Sequence, residues 1–184
     1  MSKCEANYVP LSPLSFLVEA LCQNLIRFPK FNASLLENNV LAVKEYINIG
    51  IAVDTPDGLV VPVIKDANHL TAEQLDYEIK LLAEKAINKK LLTKDFEAAT
   101  FTISSLGKIG GTGFTPIINP PEVAIMGVSK SIWKPVYDHK NKEIVPTFMM
   151  PFSLSYDHRV IDGAIGAAFT SFFSNAVLDV STFE

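Results

Sequence analysis

Residues 153–164 read SLSYDHRVIDGA, and they concentrate two carboxylates, an imidazole and a guanidinium within the six positions Asp157 to Asp162. The apolar run Met149 to Tyr156 before this cluster predicts the last strand, and Gly163 to Leu178 after it predicts an apolar helix. Because charges between two apolar elements need partners, we expect His158 to be buried at the strand end with groups that satisfy it. An imidazole titrates near neutral pH, which makes His158 a candidate general base.

Plainer interpretations of the same cluster remain open. Asp157 and Arg159 can form a surface turn, and Asp162 can simply be the N-cap of the last helix, because aspartate is a favoured N-cap residue. A metal site is a poor interpretation, since one imidazole with carboxylates and no second histidine nearby lacks the usual ligand set. We therefore predict no bound metal.

The sequence before this cluster predicts further helices and strands. Ser12 followed by Pro13 begins a helix, and the T-x-x-Q capping box that starts at Thr71 begins a second one. Residues Tyr46 to Ile64 predict a hairpin around the turn TPDG, with both of its faces covered. Other strands are expected at residues 99–105, 123–131 and, as a second hairpin, 133–148. Because most strands follow one another directly, this order predicts an α+β fold with a mixed, largely antiparallel sheet and helices on one face.

Composition limits the class of protein. The chain has 184 residues, 48% of them hydrophobic, which suits one domain with a real core. Its net charge of −4 is spread without a block of like charges, so nucleic acid is not an expected partner. Two cysteines, Cys4 and Cys22, cannot form a disulfide framework, and a reduced, intracellular setting is expected. The most apolar stretch, residues 14–26, is too short to span a bilayer, so no membrane is predicted either.

The glycine-rich stretch Gly107 to Gly113 does not predict a nucleotide-binding loop. It has neither a G-K-[ST] end nor a G-x-G-x-x-G spacing, and three prolines in the following residues argue against a helix there. Glycine permits close approach of the backbone to a ligand, so a loop that lines a narrow ligand channel is the interpretation that stays open.

Several segments together resemble one known family. SYDHRVIDG (155–163) matches the D-H-R-x-x-D-G signature of the dihydrolipoamide acyltransferases, the core components of 2-oxo acid dehydrogenase complexes. NIGIAVDTPDGLVVPVIKD (48–66) and FTISSLGKIGGTGFTPIINPPEVAIMGVSKS (101–131) resemble the family in the same order, and the latter is most similar to its pyruvate dehydrogenase branch. The chloramphenicol acetyltransferases share an H-x-x-x-D-G motif with this family, so the resemblance implies a chloramphenicol acetyltransferase-like fold.

The resemblance implies transfer of an acetyl group from dihydrolipoamide sulfur to the thiol of coenzyme A. On the matched motif, His158 is the general base for the thiol proton, and Asp162 organises the loop that carries the histidine. A hydroxyl in the FTIS strand donates to the oxyanion, and the match falls on Ser104. Ser105 is the nearby competitor, but the two side chains point to opposite faces of a strand, so only one of them can serve.

The resemblance also implies partners and a location. Coenzyme A is a substrate, and the lipoyl group is supplied by another domain or in trans, because the sequence has no lipoyl-lysine segment. A homotrimer is expected to share its active sites between subunits and to build a larger cubic or icosahedral core with other pyruvate dehydrogenase complex subunits. Such a complex is cytoplasmic in bacteria and lies in the mitochondrial matrix in eukaryotes.

Residues 1–12 are expected to be an N-terminal extension, and residues 13–184 an acyltransferase catalytic domain that is incomplete at its N-terminus. The reason is that the arm, helix and strand that come first in the family have no counterpart here. Two alternative functions follow, an inactive or weakly active scaffold fragment and an acetyl-CoA-dependent O-acetyltransferase for small molecules. The intact set of His158, Asp162 and Ser104 favours an enzyme, and the FTISSLG and INPPEVAI segments favour transfer to a thiol.

Overall fold

The computed structural model of the chain describes residues 10–107 and 109–179. The α-helices in this part are α1 (Pro13–Arg27), α2 (Ala72–Ile87) and α3 (Gly163–Leu178). The strands are β1 (Ala33–Leu35), β2 (Leu41–Val43), β3 (Ile49–Ile51), β4 (Val53–Thr55), β5 (Gly58–Val60), β6 (Val63–Ile64), β7 (Phe101–Ser105), β8 (Ala124–Val128), β9 (Ile132–Asp138), β10 (Glu143–Met149) and β11 (Phe152–Tyr156).

Five of these strands form the central sheet, in the order β11-β8-β7-β3-β6. The middle strand β7 runs parallel to both β8 and β3, whereas the outer strands β11 and β6 pair antiparallel with their neighbours. Three antiparallel hairpins, β1–β2, β4–β5 and β9–β10, lie outside this sheet. The predicted α+β class with a mixed sheet is confirmed, and antiparallel pairs predominate in the described chain as a whole.

One face of the central sheet is apolar and lies under the helices. Phe101 and Ile103 of β7 are completely buried there, and the Phe101 ring stacks on Phe169 of α3 with 6.1 Å between ring centroids. Phe173, one turn along α3, packs against Phe152 of β11 at 5.1 Å. Since each fully buried aromatic contributes about 2–3 kcal/mol, this layer of rings fixes α3 on the sheet.

The opposite face of the central sheet carries small and polar side chains. Successive residues of a strand point to opposite faces, so Thr102 and Ser104 of β7 point away from the helices. Ser104 pairs with Gly127 of β8, and Gly127 pairs with Ser153 of β11, which places these three residues in one row across the sheet. We call this surface the polar face. The chain between β7 and β8, which we call the return segment, contacts this face through Phe114 and Glu122.

Local sequence signals located most elements correctly. Helix α1 begins at Pro13 with Ser12 as its N-cap, and α2 begins with the predicted capping box of Thr71 and Gln74. The last helix has the predicted bounds. Most of the extension expected at residues 1–12 lies outside the described residues, and no helix in the described chain is long and apolar enough to cross a membrane.

The expectation that both faces of the TPDG hairpin are covered was wrong for its two inner strands, and one other hairpin was not predicted. The turn TPDG does join a hairpin, in which Thr55 pairs with Gly58 and its hydroxyl donates to the Gly58 carbonyl at 2.7 Å. However, only the neighbouring strands β3 and β6 are covered, while β4 and β5 are largely open to solvent. Apolar β-branched residues correctly indicated strands in this stretch. They did not show which of these strands pair within the central sheet and which extend beyond its edge. The hairpin β1–β2 was not predicted.

Candidate active site

The turn between β11 and α3 carries His158 and is fixed by its backbone. The N–H of Asp157 donates to the carbonyl of Val123 at 2.8 Å, and the carbonyl of Asp157 accepts N–H groups from Val160 and Ile161, both at 3.0 Å. Ile161 then returns to the core, where its side chain is fully buried. These bonds hold residues 157–161 as one tight turn at the edge of the central sheet.

The expectation that His158 is buried was wrong. Its side chain is exposed in the single chain, and its ring lies beside Tyr156, with 5.8 Å between ring centroids. Tyr156 in turn packs against α3, since a Cβ on Gly166 would lie only 2.9 Å from the Tyr156 ring. The apolar positions on either side, Tyr156 and Ile161, point toward the core, and the turn between them lifts the imidazole outward.

Asp157 and Arg159 form the surface turn that the sequence left open. The guanidinium donates through Nε and Nη2 to the two carboxylate oxygens of Asp157, with a shortest distance of 2.6 Å, and the Arg159 backbone N–H adds a third donor. The guanidinium hydrogen bonds hold the pKa of the Asp157 carboxyl below its usual range. The two side chains therefore pair their charges and hydrogen bonds with each other.

Asp162 is the N-cap of α3, which the sequence left open as a plainer interpretation of this residue. Its Oδ1 accepts the N–H of Ile165 at 2.9 Å, which satisfies one of the free donors in the first turn of the helix. The side chain is exposed, and no hydrogen bond joins it to His158 in the described chain. Asp162 thus fixes the end of the turn where α3 begins.

Ser104 lies on the polar face of β7 and is half-buried, while Ser105 points the other way and is exposed. Across the sheet from Ser104, the Phe114 ring covers Gly127, because a Cβ there would lie 2.7 Å from Phe114 Cζ. The Ser153 hydroxyl donates to the Phe114 carbonyl at 2.6 Å and holds that residue in place. The Ser104 hydroxyl itself has no hydrogen-bond partner among the described residues.

One chain does not bring His158 and Ser104 together. Ser104 shares its row with Ser153 on β11, whereas Tyr156 lies three residues farther along that strand. A strand advances about 3.3 Å per residue and neighbouring strands lie about 4.8 Å apart, so the Cα atoms of Ser104 and Tyr156 are separated by roughly 14 Å. His158 is two residues beyond Tyr156, too far from Ser104 for both to act on one reacting group.

The sequence matches the family of 2-oxoacid dehydrogenase acyltransferases (catalytic domain) over residues 2–183. The chain belongs to this family. It is 51% identical over 175 residues to the dihydrolipoyllysine-residue acetyltransferase component of the pyruvate dehydrogenase complex of Pseudomonas aeruginosa, a match that covers 95% of this chain and 32% of that protein. The corresponding component of Haemophilus influenzae is 48% identical, over 94% of this chain and 30% of its own length. The chain thus spans about a third of the curated relatives it matches.

Solved structures agree with this assignment. Azotobacter vinelandii dihydrolipoamide acetyltransferase superposes with a TM-score of 0.91 at 49% identity, over 95% of this chain and 72% of that one; its structure addresses the role of a serine, a histidine and an asparagine in the catalytic mechanism. The cubic core of the pyruvate dehydrogenase multienzyme complex gives the same TM-score, identity and coverage. A chloramphenicol acetyltransferase, 13% identical, gives a TM-score of 0.59 over 90% of this chain and 78% of its own, which confirms the predicted fold.

Sequence reasoning missed Glu122, which is only 6% exposed. Its Oε1 accepts from the Thr102 hydroxyl at 2.8 Å and from Asn119 Nδ2 at 3.2 Å, while Oε2 is buried without a partner. Burial raises the pKa of this carboxyl from its ordinary value of 4.5 to about 7. The available signal was a lone acidic residue directly before the apolar run of β8.

Replacing Asp162 tests its role as the cap of α3. We expect Asp162→Ala to lower the free energy of unfolding by about 1 kcal/mol, because it leaves the Ile165 N–H without its acceptor. Asp162→Asn retains a side-chain oxygen and should stay close to the parent chain in urea unfolding. Equal stability of the alanine and asparagine variants would contradict the capping role.

Glu122 gives the fold a pH dependence. Between pH 4.5 and about 7 the folded chain keeps a proton that the unfolded chain releases, so the stability linked to this group is complete below 4.5 and is lost as the pH rises through about 7. The loss amounts to about 3 kcal/mol at most. Glu122→Gln stays neutral and should remove this slope from urea unfolding between about pH 4 and pH 8.

The control for that measurement is Glu97→Gln, which replaces an exposed glutamate and should leave the slope in place. If Glu122→Gln and the parent chain lose stability equally as the pH rises, the carboxyl does not carry its proton in the folded state.

Proposed function

We propose that this chain transfers an acetyl group from the sulfur of dihydrolipoamide to the thiol of coenzyme A. The observation that carries the proposal is the identity of about half the residues to acetyltransferase components of pyruvate dehydrogenase complexes, over nearly the whole chain. The spacing of the candidate residues supports it. In the A. vinelandii enzyme the histidine and the asparagine under study lie four positions apart, as His158 and Asp162 do here.

His158 is the proposed general base. A free thiol is only a few per cent ionised at neutral pH, and the thiolate is the nucleophile. His158 would take the proton of the coenzyme A thiol while the sulfur attacks the acetyl carbonyl, a contribution of about 10²–10⁴ in rate. Collapse of the tetrahedral intermediate breaks its bond to the dihydrolipoamide sulfur, and the imidazolium returns the proton to that leaving group.

Ser104 is the proposed hydrogen-bond donor to the oxyanion. Its hydroxyl is half-buried and has no partner among the described residues, so it can donate to an oxygen that develops negative charge. One such donor is worth about 10²–10³ in rate. Ser105 faces the other side of the sheet and is the weaker candidate.

Asp162 is proposed to position the histidine rather than to act on substrate. An asparagine four residues after the histidine, as in the A. vinelandii enzyme, accepts an N–H bond at a helix start as well as an aspartate does. What this position requires is therefore an acceptor oxygen at the N-cap. The negative charge is secondary.

The separation of His158 and Ser104 indicates that the site forms between copies of the chain. We infer a trimer in which His158 of one copy meets Ser104 of the next, and such trimers would build a larger core like the cubic one. Large apolar side chains on the β9–β10 hairpin support assembly, because Trp133, Ile144 and Phe148 are 69%, 68% and 59% exposed in the single chain.

The wider role follows from the same relatives. We propose that residues 13–184 act as the acyltransferase catalytic domain, with coenzyme A as substrate and the acetylated lipoyl group delivered in trans by a partner of a pyruvate dehydrogenase complex. The bacterial origin of the relatives supports action in the cytoplasm. The described residues contain no group of three or more candidate metal ligands, and the proposed steps are proton transfer and thioester exchange, which the side chains supply.

Single substitutions test the two proposed catalytic roles. We expect His158→Ala to lower kcat for coenzyme A-dependent transfer from acetyl-dihydrolipoamide at least about 100-fold, and Ser104→Ala by about 10²–10³. His69→Ala removes another exposed imidazole, and Ser105→Ala removes the neighbouring hydroxyl, so both serve as controls with little expected change. Turnover that barely changes in both the His158→Ala and Ser104→Ala variants would remove the proposed mechanism. A parent chain that is monomeric and inactive would favour the scaffold alternative, and acetylation of a small-molecule hydroxyl would favour the O-acetyltransferase.

Mixing the two inactive variants tests whether the site lies between copies. If each site takes His158 from one copy and Ser104 from its neighbour, randomly mixed trimers of His158→Ala and Ser104→Ala chains should recover about a quarter of the parent activity. The mixture is prepared by joint expression and checked by size-exclusion chromatography. Recovery of no activity in mixed trimers of confirmed size would contradict a shared site.

A further inference from the structure

Glu122 is a buried carboxyl that none of the proposed chemical steps uses. It lies near the end of the return segment, two residues before β8, and its Oε1 accepts from Thr102 on β7 and from Asn119 in the segment. Its backbone also bridges to Ser34 of β1. It therefore joins three parts of the chain at the polar face.

No charged group compensates this carboxyl in the described chain. Thr102 faces it from β7, Asn119 from the return segment and Ser34 from β1, and none of these residues titrates. Burial is accordingly the main cause of its raised pKa, opposed by the two hydrogen bonds. A buried acid without a cation adds nothing to stability by its charge, so its place at this position calls for another reason.

That reason is its place relative to Ser104. Thr102 and Ser104 are two residues apart on β7 and share the polar face. The return segment is tied to that face at two points, where Ser153 binds the Phe114 carbonyl and where Thr102 binds Glu122. Ser104 lies two residues from Thr102 along β7, in the same row as Ser153 and as Gly127, which the Phe114 ring covers.

We propose that Glu122 is a positioning residue for Ser104, which holds the return segment against the polar face through its hydrogen bonds to Thr102 and Asn119. This inference rests on the proposed function. Without the hydrogen bonds of the Glu122 side chain, the segment keeps its tie at Phe114 but loses the one at Thr102, and it can shift along the polar face that carries Ser104. A small displacement of a catalytic group is enough to slow a reaction strongly.

A double-mutant cycle tests this role. Glu122→Ala should lower kcat about 10- to 100-fold in the parent chain, with little change in KM for coenzyme A, because the donor to the oxyanion is displaced while substrate binding persists. In the Ser104→Ala background the same substitution should cost less than about threefold, because the group it positions is already absent. An equal factor in both backgrounds would overturn the proposal.

Two substitutions of Glu122 by neutral side chains of similar length show whether its hydrogen bonds matter or whether it only fills space. Glu122→Gln keeps an acceptor oxygen for Thr102 and Asn119 and should recover most of the loss, whereas Glu122→Met fills the same space without an acceptor and should not. A methionine variant as active as the glutamine variant would overturn the proposal. Both can be made in the two backgrounds, so the comparison holds even if Glu122→Ala fails to assemble.

The cycle also separates this inference from the proposed function. Full activity of Ser104→Ala alone would remove the oxyanion role of Ser104, and the role of Glu122 with it. A large loss in Ser104→Ala combined with an equal effect of Glu122→Ala in both backgrounds would remove only the positioning role.

Discussion

The alternation of side chains along β7 is the constraint on which both the core and the site depend. Phe101 and Ile103 point into the helix-covered core, and Thr102 and Ser104 therefore point to the polar face. Burial of the two apolar side chains contributes about 2 kcal/mol each, against about 1 kcal/mol for a typical hydrogen bond. A slip of one residue would expose the apolar pair, so hydrophobic burial fixes where the Ser104 hydroxyl points.

Local patterns predicted most of the fold because helix starts, turns and apolar periodicity are encoded within a few residues. The Thr71 capping box and the span of α3 are of this kind. His158 was misplaced because burial was inferred from apolar neighbours, whereas a five-residue turn can expose one side chain between two buried ones. Glu122 was missed because its partner Thr102 lies 20 positions away, and contacts between distant residues leave no local pattern in a single sequence.

The separation of the two candidate residues has a geometric consequence for assembly. A head-to-tail contact in a closed ring brings different surfaces of two copies together at every interface. His158 at the edge of the sheet and Ser104 on its polar face are different surfaces of this kind. The exposed apolar side chains of the β9–β10 hairpin would give the proposed contact a source of free energy, because they are not buried in the single chain.

The four charged or titratable side chains between the last strand and the last helix make different interactions. Asp157 and Arg159 bind each other through two hydrogen-bonding nitrogens and the backbone, and Asp162 is engaged by the first turn of α3. His158 is the remaining titratable group, and it has no hydrogen-bond partner in the described chain. The other three residues are bound to one another or to the backbone and fix the turn, so the imidazole stands on a fixed support, as the proposed role of His158 as general base requires.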